Sequence, residues 1–168
     1  MAEWLSQTNQ KLYQARLLLD ALDVSESSAN TADVFNNSNI SADFVLALQE
    51  SVLFQLVLAY QSYLHEIAEI AQWRESFLSL AQLIESAPTI TGEMKELKKI
   101  EDDDFSWLSQ LLAAFQQCGD KNPVAVKAAT SPSMIQIQDT TSASLPLRDW
   151  YDHLIDLIDL QRNNRQES

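Results

Sequence analysis

Apolar side chains recur at intervals of three and four along most of this chain, the spacing of one face of an α-helix. The first stripe is Leu5, Thr8, Leu12, Ala15, Leu19 and Leu22, which predicts a helix over 3–23. A second helix opens at Ser41, whose hydroxyl suits an N-cap, with Asp43 at the positive end of the dipole. Leu53, Leu56, Val57, Tyr60, Leu64, Ile67 and Ala71 define its main face. Phe54 and Leu58 make the stretch 52–60 apolar nearly all round, as befits the centre of a bundle. Ser62, Glu66 and Glu69 give its later part a wet face.

An unbroken helix over 41–87 would be roughly 70 Å long, against about 40 Å for a compact chain of this size. A break between Trp73 and Ser76 is therefore expected, with Ser76 capping a shorter helix to Ala87 and Pro88 ending it. Thr91 caps a small helix holding Met94, Leu97 and Ile100. One of Asp102, Asp103 and Asp104 caps a helix over Phe105–Cys118, with Leu108, Leu111, Leu112 and Phe115 as its stripe and Gly119 as a left-handed stop. The last helix runs from about Pro146 to Arg162, with Leu147, Tyr151, Leu154 and Ile158 facing in. The polar stretches at about 24–40 and 120–145 read as mobile loops, and Met134–Gln138 alternates as an extended segment would. The expected fold is all-α: a single domain over 1–168, a mostly antiparallel bundle of five or six helices around a long central one.

Composition narrows the function. Two glycines and four prolines argue against barrels, sandwiches and glycine-rich nucleotide folds. Lys and Arg number 11 against 24 Asp and Glu, a net charge of −13 that repels nucleic-acid backbones and anionic lipids. The apolar run Val52–Tyr60 falls short of the ~20 residues of a membrane helix, and the acidic start lacks the pattern of a secretory signal. A single cysteine, Cys118, fits a reducing compartment, so the expected location is cytoplasmic. Cys118 lies at a predicted helix C-terminus, where the dipole disfavours thiolate. Neither His65 nor His153 has the Glu three residues before it that a di-iron bundle needs, so no metal and no cofactor are expected.

Three polar residues interrupt apolar helix positions: Asn9, Gln55 and His65. Register or packing roles are the favoured reading, and the three are the binding candidates should they line a ligand pocket. Asp149, Asp152, Asp156 and Asp159 form one outward ridge on the last helix: a solvated face, or a docking face for a basic protein partner. Arg162 and Arg165 suit the negative end of that helix.

Thr8-Asn9-Gln10-Lys11-Leu12-Tyr13 with Ala15 resembles the opening motif of an uncharacterised family of small helical proteins of gammaproteobacteria, a domain of unknown function. Glu50, Leu53-Phe54 and His65-Glu66-Ile67-Ala68 look like its second motif, and Trp107-Leu108 with Leu111-Leu112 like its third. Gln55 stands where the family has histidine. The resemblance implies a bacterial, cytosolic helical protein and supplies no activity. At the level of fold, the long central helix is also similar to the HEPN nucleotide-binding bundles, whose active members carry Arg-x(4–6)-His. Arg148 and His153 fit that spacing and are the alternative catalytic pair, for nucleotide or RNA processing. The favoured reading is a non-catalytic interaction or regulatory module, with a bundle holding a small apolar ligand as a third class.

Overall fold

The computed structural model describes residues 2–30, 42–119 and 145–166. They form six helices: α1 (Ala2–Asn30), α2 (Ala42–Ile70), α3 (Leu80–Ser86), α4 (Gly92–Glu101), α5 (Trp107–Gly119) and α6 (Leu147–Gln166). No strand occurs among the described residues, so the fold is all-α.

α1 and α2 pair along most of their length. Trp4 meets His65 near one end and Glu26 meets Gln49 near the other, so the pair is antiparallel. α6 reaches Asp20 and Asp23 of α1 through Arg148 and Asn9 through Arg162, which makes it antiparallel to α1 and parallel to α2. α5 packs on both α2 and α6, and α4 joins α3 to α5.

The stripes read from the sequence form the core. Leu12, Ala15, Leu19 and Leu22 of α1 are buried against Leu53, Leu56, Tyr60, Leu64 and Ile67 of α2, with Leu147, Tyr151, Leu154 and Ile158 of α6. Thr8 belongs to the same stripe, because its hydroxyl donates to Trp4 O, one turn back, and brings no unsatisfied group inside. Leu5, expected in the stripe, is exposed near the helix start.

Several expectations are corrected. Helix α1 continues through 24–30, where a loop was expected: Ser25 is buried with its hydroxyl bonded to Ala21 O, so the serine serves the helix instead of competing with it. The rest of that loop, Ser41 and the segment 120–144 with Met134–Gln138 lie outside the described residues. The break after α2 falls at 71–79, and Ser79 rather than Ser76 caps α3 by accepting from Gln82 N. Thr91 caps α4 as expected, accepting from Met94 N. α5 begins at Trp107, and Ser106 accepts from Ser109 N where an aspartate was expected; Asp103 instead accepts from Phe105 N in the preceding turn. Gly119 ends α5 without left-handed backbone. Taken whole, α2 is long and apolar enough to cross a membrane by length and composition, because Phe44–Leu48 extend the run read from the sequence. A bundle's central helix passes the same test.

Of the wet face expected at Ser62, Glu66 and Glu69, Glu69 is half-buried, and Ser62 and Glu66 do not belong to it. Both are buried, Ser62 by bonding back to Leu58 O and Glu66 by two arginines of α6.

Candidate functional site

Two polar regions stand apart from the apolar core. The first is the cluster around Glu66, which is 3 % exposed. Arg162 holds it with both arms, Nε donating to Oε1 at 3.0 Å and Nη2 to Oε2 at 2.7 Å. Paired contacts of this kind are the strong form of a charge-assisted bond. Arg165 adds Nη1 to Glu66 Oε1 at 3.3 Å and Nη2 to the Tyr63 hydroxyl at 2.9 Å. Tyr63 donates in turn to Gln161 Oε1, and Gln161 Nε2 donates to Glu96. Arg165 Nε also lies 2.7 Å from Glu93 Oε1, an ion pair without the alignment of a hydrogen bond. Burial is the main cause that pushes the Tyr63 hydroxyl well above its ordinary range, so it stays a neutral donor and acceptor. The cluster ties α1, α2, α4 and α6 together.

The second region is a cleft of about 470 Å³ between the start of α1 and the end of α2, lined by Trp4, His65, Glu69, Trp73, Arg74 and Glu75. His65 is sandwiched: the Trp4 ring lies 4.2 Å away at 16° and the Phe77 ring 4.2 Å away on stacking geometry. Burial lowers its pKa below the ordinary 6.5, which keeps the ring neutral. The wall that carries Trp73 is built by a helix ending in which Trp73 N donates to Ala68 O and Gln72 N to Glu69 O. That pair of bonds is the Schellman motif, and it needs a left-handed residue between the helix and Trp73. Gln72 supplies it with φ 57°, alone among the described non-glycine residues. A side chain there costs ~1–2 kcal/mol that glycine would not. The Trp73 indole Nε1 is buried and has no hydrogen-bond partner. An unmade bond of that type costs about 1–3 kcal/mol. Two adjacent residues at this helix end thus carry unrelieved costs, and the second of them, Trp73, lines the cleft.

The polar residues singled out in the sequence do not meet. Asn9 is exposed and accepts from Arg162 Nη1 at 2.9 Å, at the edge of the Glu66 cluster. His65 belongs to the aromatic cleft. Gln55 lies ten residues earlier on α2, roughly 15 Å along the axis, in a groove with Phe54, Phe115 and Cys118. Its Oε1 is buried without a partner. Burial, with Glu50 nearby, raises the Cys118 thiol. Arg148 donates to Asp20 and Asp23 of α1, while His153 lies against Trp107 of α5 with Nδ1 2.6 Å from Asp149 O. The two side chains engage different helices. Asp149, Asp152, Asp156 and Asp159 are all exposed, and among the described residues no ion pair engages them. No three His, Cys, Asp or Glu side chains gather as a metal site would require among the described residues.

Residues 1–168 match the profile of a family of unknown function, DUF6586. The chain belongs to that family. No curated protein and no solved structure matches the chain. Membership in DUF6586 spans every element described above, including both polar regions, and carries no assigned activity.

The sequence reading missed the Glu66 cluster and Trp73. Arg162 and Arg165, three apart and so on one face of α6, were the available signal for the first. For Trp73 there was none beyond its place at a helix break.

Proposed function

We propose that this member of DUF6586 is a cytosolic, non-catalytic interaction module whose partner is a basic protein docked on the α6 ridge of Asp149, Asp152, Asp156 and Asp159. The observation that carries this reading is a contrast in how charge is used. Glu66, Arg148, Arg162 and Arg165 bind one helix to another, whereas the four ridge carboxylates face solvent with no described cation. Like charges along one helix face repel by about 0.2–0.5 kcal/mol per neighbouring pair, so the ridge is retained at some expense of stability. A net charge of −13 would steer a cationic partner in and hold nucleic acid off. The RNA-processing alternative needs Arg148 and His153 on one phosphate, and their separate attachments to α1 and α5 count against it.

The test is the double substitution Asp156→Asn and Asp159→Asn. Pull-downs at low salt with the unmodified chain should recover a basic protein that the variant loses, and association should slow as salt is added. Recovery of the same proteins by both forms would reduce the ridge to a solvated face. Salt-sensitive RNA binding, or RNA hydrolysis lost in His153→Ala, would replace the reading altogether.

A further inference from the structure

The aromatic cleft is independent of the α6 ridge and carries its own chemistry. Its walls include the Trp4 and Trp73 indoles, flat surfaces suited to stacking a ring. Trp73 also brings the buried N–H that lacks an acceptor. Arg74 and Glu75 stand at the opening, both exposed, and no ion pair engages either among the described residues. The site therefore offers a stacking surface, the Arg74 guanidinium for an oxygen anion and the Glu75 carboxylate for a cation. His65, kept neutral and clamped between Trp4 and Phe77, fixes the Trp4 indole without adding charge.

We infer that this cleft binds a small zwitterion with a planar aromatic body, of which an aromatic α-amino acid is the simplest example. The carboxylate takes the Arg74 guanidinium, the ammonium takes Glu75, and the ring lies against the indoles. Whole-molecule charge favours the same class. A chain at −13 repels phosphorylated and other multiply anionic ligands, while a zwitterion feels no net pull, so local groups decide its affinity. The volume of about 470 Å³ is in the range of small-molecule sites.

The probe is L-phenylalanine, titrated calorimetrically into the full chain. Saturable binding with Kd at or below about 1 mM is expected. Arg74→Ala, which removes an exposed side chain and leaves the core alone, weakens it by about tenfold or more. Trp73→Phe exchanges the indole for a smaller stacking face, and weakens it by a smaller factor. Phenethylamine and 3-phenylpropionate each lack one charge and bind correspondingly less well. Asp156→Asn with Asp159→Asn leaves the affinity unchanged, which separates this site from the ridge. The inference is overturned by no saturable binding up to about 10 mM, by full affinity in Arg74→Ala, or by either analogue binding as tightly as L-phenylalanine. Because Arg74 is exposed, that variant decides the matter even if Trp73→Phe does not fold.

Discussion

The Glu66 cluster and the Trp73 cleft lie at the same end of α2, seven residues apart in sequence, and use polar groups in opposite ways. Around Glu66, both carboxylate oxygens, the Tyr63 hydroxyl and both ends of the Gln161 amide have partners from other helices. Around Trp73, a buried N–H has none and the backbone beside it is left-handed at a glutamine. The network around Glu66 leaves Arg165 Nε and Glu93 Oε1 without hydrogen bonds but sets them 2.7 Å apart as an ion pair, so its charges close on one another; the buried Trp73 N–H has no such counterpart. Polarity alone does not distinguish the two regions; what each polar group is paired with does.

Glu66→Ala should have the largest effect on this contrast. It leaves Arg162, whose side chain is only 17 % exposed, without a carboxylate and Arg165, 21 % exposed, with Glu93 alone, and a loss of about 3 kcal/mol is expected in urea unfolding. A loss below ~1 kcal/mol would mean the cluster is not what binds α6 to α2. Tyr63→Phe is next. It deletes one hydroxyl between Arg165 and Gln161 in the buried part of the cluster, and should cost about 1–2 kcal/mol by the same measurement.

At the cleft the sign reverses. Gln72→Gly removes the left-handed penalty without touching a buried contact, and a gain of ~0.5–1 kcal/mol is expected in thermal unfolding. A loss there would show that the Gln72 side chain itself supports the turn.

The smallest effect is one of pH. Burial lowers the folded pKa of His65 below 6.5, so the unfolded chain binds the extra proton first. The contribution is fully present above the unfolded pKa and is lost as pH falls through the lower, folded value. The stability difference between the unmodified chain and His65→Phe should therefore be flat above pH 6.5 and shift against the unmodified chain below it. A pH-independent difference would mean that the stack does not desolvate the ring.

How much of this was legible depended on whether the cause was local. The α1, α2 and α6 stripes were readable because a helix's buried face is set by spacing along its own residues. The break after α2 was readable from length alone, although Ser76 and Ser79 are equivalent as caps until Phe77 is seen to be buried against the core. The Glu66 error has a different origin. Its partners lie 96 and 99 residues away on α6, and a periodicity argument sees only a carboxylate on a helix. Asn9, Gln55 and His65 stand out alike in the sequence as polar residues at apolar positions, and the sequence leaves open whether they meet. Asn9 serves the α6 arginine, His65 serves an aromatic stack, and Gln55 lies in a separate groove. The cleft was not legible, because an unpartnered indole N–H is a statement about every neighbour at once.

The most direct test of that division uses the four tryptophans, whose indole N–H groups give separate signals in a proton–nitrogen correlation spectrum. On titration with L-phenylalanine, the Trp73 signal should move as the ligand ring comes against its indole, while those of Trp107 and the buried Trp150 stay in place. A Trp73 signal that does not move would contradict the account.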